Sequence, residues 1–116
     1  MNYLINTKKL NSEFILNSLQ SPIIIINSIK KTIIYCNNAT EVFFDIGKKK
    51  IINQKIEALF KKDSYFTSLI KKSIKTNRNI NEYNVSIKSP KKDINASVYI
   101  SKVESDDNLY SVFFIR

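Results

Sequence analysis

The chain has 116 residues, 43% hydrophobic and 25% charged, the length and balance of one globular domain. Its single cysteine excludes an internal disulfide. The absence of histidine removes the commonest general base and metal ligand, and one glycine excludes a glycine-rich phosphate loop. The net charge of +9 comes almost wholly from lysine. Arginine is the residue that suits forked phosphate contacts, so the lysines read as solvated surface rather than as a nucleic-acid interface.

No apolar run reaches the roughly 18 residues of a membrane span. Leu4-Ile5 is followed at once by Asn6 and Lys8-Lys9, so the amino terminus lacks the core of a signal peptide. The expected location is the cytoplasm, with no membrane partner.

In chain order, residues 1–6 form a lead. Leu10, Phe14, Ile15 and Leu19 then recur at helical spacing, until Pro22 stops the helix. Residues 1–20 are thus expected as a lead and helix, with the domain proper at 21–116. Pro22–Ile26 is too short for a core helix and reads as a strand buried on both faces. Asn27–Lys31 is a turn, which makes Ile23–Asn27 and Thr32–Cys36 a hairpin. At Asn37 the period changes. Ala39, Val42, Phe43 and Ile46 mark one face of a helix capped by Asn37, with Glu41 at its positive end and Gly47 as a left-handed stop. Residues 48–62 read as two short helical turns bent at Asn53. Asp63 or Ser64 caps a clearer helix. Its Phe66, Leu69, Ile70 and Ile74 face inward, and its Lys71, Lys72 and Lys75 face water.

The last third is β-structure. Tyr83, Val85 and Ile87 alternate with polar residues, Ser89–Asp93 turns, and Ile94, Ala96, Val98 and Ile100 alternate again. After a turn at Ser105–Asn108 comes a final strand, Leu109–Ile115. It is apolar on both faces and so belongs at the centre of the sheet. The order predicts an α+β fold: a five-stranded antiparallel sheet, short helices packed on one face, and an amino-terminal helix.

With the elements in that order, I-Y-C-N-N-A-T-E-V-F-F (Ile34–Phe44) resembles the signature of PAS domains, usually I-x-Y-x-N-x-A-A-E-x-x-F. Tyr35, Asn37, Ala39 and Glu41 match position by position. Ile15–Leu19, Pro22 and the apolar run after it are similar to the start of NtrB-type nitrogen-regulation sensor histidine kinases. Asn38 stands where the family often has proline, which removes a preset helical φ but not the cap.

The resemblance implies a non-catalytic sensory and dimerisation module of a cytosolic two-component histidine kinase. Its implied partners are a second copy, a kinase domain in the same parent chain and a response regulator for that parent. The alternative is a basic nucleic-acid-binding or transcription-regulator domain, which rests on the lysines alone. No cofactor is expected. There is no histidine to hold haem, and Cys36 ends a strand instead of lying on the middle helix that carries the cysteine of flavin photoreceptors; it reads as a packed thiol. Any ligand would lie between the inner sheet face and the middle helices. The candidate lining is Ile24, Ile26, Tyr35, Val42, Phe43, Ile46, Leu59, Ile70 and Val98. The same residues would fill a solid core, and a filled core is the default. Asn37 is a structural cap, and Leu10, Phe14 and Leu19 are the interface candidates.

Overall fold

A computed structural model describes residues 19–60, 64–76, 78–105 and 108–116. The expected leading helix, with Leu10 and Phe14, and the expected cap Asp63 lie outside the described residues. Leu19 is described and is partly exposed.

The hairpin forms because a short isoleucine run meets a turn that Asn27 closes on itself. Its Oδ1 accepts from the backbone N–H groups of Ile29 and Lys30, each at 3.0 Å. Strands β1 (Ile23–Asn27) and β2 (Thr32–Cys36) pair antiparallel. The register slips between Ile25 and Ile26, so Ile34 stands outside the pairing and is exposed. Strands β3 (Ile80–Lys88), β4 (Asp93–Ser105) and β5 (Asn108–Ile115) complete one five-stranded sheet in the order β2-β1-β5-β4-β3. All its pairings are antiparallel, and β5 lies at its centre, as its two apolar faces require.

Among the described residues four short helices cover one face: α1 (Asn38–Phe44), α2 (Lys48–Ile51), α3 (Ile56–Leu59) and α4 (Tyr65–Thr76). The core lies between them and the row that includes Ile24, Ile26, Val98, Ile100, Phe113 and Ile115. Asn53 takes the left-handed φ of 68° at the bend between α2 and α3, where the asparagine was expected to sit. The bent segment returns along the outer edge of β2. Asn53 N donates to Ile33 O at 2.7 Å, and Ile33 N donates to Gln54 O at 2.9 Å. That edge is therefore covered by backbone rather than left open. Ser64 caps α4, its Oγ accepting from Thr67 N at 3.2 Å.

Three local expectations are corrected. In α1 the buried residues are Thr40 and Phe44, while Val42 is 77% exposed. The inward face is rotated from the one that Ala39, Val42 and Phe43 marked, because the Thr40 hydroxyl faces β1, within hydrogen-bond distance of Ile23 O. The left-handed residue ending α1 is Asp45, with φ 56° and ψ 45°; Gly47 has an ordinary φ of −68° and precedes α2. Tyr83 is exposed although it lies in phase with buried Val85 and Ile87. Asn84 adopts φ 57° where the β3–β4 register slips between Glu82 and Val85, so the alternation changes phase at that bulge.

Candidate functional site

The strand-to-helix joint is built around Asn37, which is fully buried. Its Oδ1 accepts from Ile23 N at 2.9 Å and Thr40 N at 3.2 Å, and Thr40 Oγ1 lies 2.8 Å away. Its Nδ2 donates to Ser21 O at 3.0 Å. Thr40 Oγ1 also lies 3.0 Å from Ile23 O, to which it can donate. One side chain thus caps α1 and ties both that helix and β2 to the beginning of β1. The network satisfies buried polar groups and leaves no reactive atom facing a cavity. Beside it, Cys36 is fully buried, and burial pushes its thiol pKa up, with Lys48 acting in the opposite direction. A buried thiol held protonated is a weak nucleophile.

Between helices and sheet the volume is occupied by phenylalanines. Phe44, Phe60, Phe66 and Phe113 form an edge-to-face series with centroid separations of 5.4, 4.8 and 6.0 Å. All are at most 1% exposed. Of the expected lining, Ile24, Ile26, Ile70 and Val98 are buried among these rings in the core, and Phe43 packs against it from the side. Val42 faces away, as above. Tyr35 is also corrected: it pairs with Ile25, on the face of β2 opposite buried Cys36, and lies outside the interior. Lys48 Nζ sits 5.6 Å from its ring centroid.

Ile46 and Leu59 belong to the same core cluster, at its margin. With Ile52 they line a surface cleft of about 930 Å³ between α2 and the β3–β4 turn. Lys49, Lys50 and Lys91 stand exposed around it. Glu41 also lines it, and Lys91 approaches Asp45 at 3.9 Å, with both side chains mostly exposed. The K-K-K run was visible in the sequence. Its meeting with Pro90-Lys91, some forty residues on, was not, since nothing local announces that contact.

A second polar cluster also escaped the sequence reading. Lys102 Nζ lies 3.3 Å from Ser28 Oγ and 3.2 Å from Ser111 Oγ, and the two hydroxyl oxygens are 3.2 Å apart. Ser28 and Ser111 are buried, and desolvation lowers the Lys102 pKa. The ammonium supplies donors to both hydroxyls at the end of the inner sheet face, where the core gives way to solvent. Buried hydroxyls offer no approach to a substrate, so the cluster reads as a satisfied polar edge. Among the described residues no group of acidic or cysteine side chains is placed to hold a metal ion. None of the described helices is long and apolar enough to cross a membrane.

The opposite sheet face carries a second apolar surface. Cross-strand register places Ile23, Phe114 and Tyr99 in one row, and Ile25, Val112 and Ser101 in the next. Phe114, Tyr99, Ile25 and Val112 are half-buried, and Tyr83 stacks edge-on against Tyr99 at 6.3 Å.

The PAS fold family model matches residues 11–116. The chain belongs to the PAS family. Solved PAS domains share its architecture. That of nitrogen regulation protein NR(II) from Vibrio parahaemolyticus aligns with a TM-score of 0.77 at 21% identity, over 90% of this chain and 95% of that one. A PAS domain from a two-component sensor histidine kinase gives 0.78 at 12% identity, over 96% of each chain. The PAS domain of an HTR-like protein from Haloarcula marismortui gives 0.80 at 7% identity, over 99% of this chain and 95% of that one. At these identities the likeness is one of fold. No curated protein sequence matches the chain.

Proposed function

We propose that this PAS domain is the sensory and dimerisation module of a cytoplasmic two-component histidine kinase of the nitrogen-regulation type, with no catalytic role of its own. It acts as a homodimer, and the parent chain carries the kinase domain and phosphorylates a response regulator. The observation that carries the reading is the pairing of a phenylalanine-filled interior with an apolar outer sheet face. An interior filled by Phe44, Phe60, Phe66 and Phe113 favours signalling through the arrangement of two copies over signalling through an enclosed ligand. A stimulus then acts by favouring one arrangement of the pair over another, in proportion to its differential affinity for the two. Ile25, Val112, Phe114 and Tyr99 supply the dimer surface, joined by the leading segment that bears Leu10, Phe14 and Leu19. The sequence likeness of Ile15–Leu19 and Pro22 to the start of NtrB-type kinases and the likeness to the NR(II) domain support the nitrogen-regulation assignment.

Sedimentation equilibrium of the chain tests the dimer. A concentration-dependent dimer is expected, and the Val112→Glu and Phe114→Glu variants are expected to sediment as folded monomers. A wild-type chain that stays monomeric at millimolar concentration refutes the dimer. A histidine-bearing helix pair and an ATP-binding domain encoded downstream in the same gene is the expected genetic context for the kinase assignment.

A further inference from the structure

The cleft between α2 and the β3–β4 turn combines features that the signalling reading leaves unused. Ile46 and Leu59 are nearly fully buried and Ile52 partly so, which gives the cleft an apolar floor. Lys49, Lys50 and Lys91 stand exposed at its rim. Lys48, Lys49 and Lys50 crowd into the single-turn helix α2, which has no acidic residue in its first turn. Lys48 lies over the Tyr35 ring, whereas Lys49 and Lys50 are exposed and give the rim a net positive charge. Among the described residues the ion pairs are Lys71 with Glu57 and the long Lys91–Asp45 contact, so neither engages Lys49 or Lys50. A Cβ added at Gly47, on the wall, would meet nothing within 4 Å, so the space beside it is open. The volume of about 930 Å³ falls in the range of small-molecule sites, roughly 300–1,000 Å³.

We propose that this cleft binds an amphipathic organic anion, its apolar ring or branched body on Ile46, Ile52 and Leu59 and its phosphate or carboxylate among Lys49, Lys50 and Lys91. The exposed lysines attract the anion, and the apolar floor adds affinity that a simple inorganic ion cannot gain. The cleft opens at the margin of the phenylalanine-filled interior and shares no residue with the outer sheet face, so it stands whether or not the domain dimerises.

Isothermal titration calorimetry of the whole chain with 1-naphthyl phosphate tests this, with 1-naphthol and inorganic phosphate as the two halves of the probe. Naphthyl phosphate is expected to bind at least tenfold more tightly than either half. The double variant Lys49→Glu/Lys50→Glu is expected to weaken it at least tenfold. Gly47→Trp, which fills the cleft from a position with ordinary backbone angles, is expected to do the same without touching charge. Lys72→Glu/Lys75→Glu, on the exposed side of α4, carries the same charge change and is expected to stay within twofold of wild type. Inorganic phosphate binding as tightly as the full probe, or equal losses in both charge-reversed variants, overturns the proposal. Tighter binding of an acidic apolar peptide also overturns it, by making the cleft a protein-docking groove. A dimer that dissociates in Lys49→Glu/Lys50→Glu but persists in Phe114→Glu does so too, by assigning the cleft to a second copy.

Discussion

Asn37 shows how much one side chain can hold. Its amide meets β1, α1 and the backbone before β1, all in a fully buried site. Asn37→Ala leaves the Ile23 N–H and the Ser21 carbonyl without that partner, so unfolding in urea is expected to show a loss of about 2–4 kcal/mol. Thr40→Val keeps the shape and removes the hydroxyl, and a smaller loss of about 1 kcal/mol is expected. Cys36 gives a pH signature. Burial raises its pKa, so above about pH 8.5 the unfolded chain releases the thiol proton while the folded chain retains it. The unfolded state then binds fewer protons than the native one, and this group's contribution to stability falls as pH rises through its folded pKa. The stability advantage of wild type over Cys36→Ala is therefore expected to shrink between pH 8 and pH 10 in paired urea titrations. That Asn37 is a cap was legible from its place where the hydrophobic period changes. That its amide also reaches Ile23 and Ser21 was not, because those contacts span fourteen and sixteen residues.

Elements follow the same division. The bounds of both hairpin strands and the bend at Asn53 are legible, because turn chemistry and hydrophobic period are local. The orientation of α1 is not. Its periodicity offered Ala39, Val42 and Phe43, but the contact of the Thr40 hydroxyl with Ile23 O of β1 turns Thr40 and Phe44 inward. In β3 a strict alternation would bury Tyr83, yet Asn84 in the left-handed region shifts the phase and exposes it. Asn84→Val places a β-branched residue in that conformation, and a loss of about 1–2 kcal/mol is expected, whereas Asn84→Gly is expected to be neutral or stabilising in the same thermal melts. The helices are short and draw their stability from packing rather than propensity. Phe66 lies between Phe60 and Phe113 in the edge-to-face series, so Phe66→Ala is expected to cost about 3–5 kcal/mol by denaturant unfolding.

For the whole molecule, the sheet order carries the argument. β5 is paired on both sides, whereas among the described residues β3 pairs only with β4 and is bulged near its start. Native-state amide exchange is expected to be slowest in β5 and fastest, among the strands, in β3 around Glu82–Val85; uniform protection across the five strands would contradict this ranking. Composition, turn residues and the Asn-centred signature determined by themselves the element order, the antiparallel α+β class and the central place of the last strand, because each rests on interactions within a few residues or on a strand's own two faces. Only the tertiary structure decided that four phenylalanines, from α1, the residue just after α3, α4 and β5, fill the interior. It alone brought Lys49 and Lys50 beside Lys91 around an apolar cleft, and it alone set the faces that Val42 and Tyr83 present to solvent. Those outcomes depend on contacts between distant segments, and no local pattern encodes which surfaces the folded chain brings together.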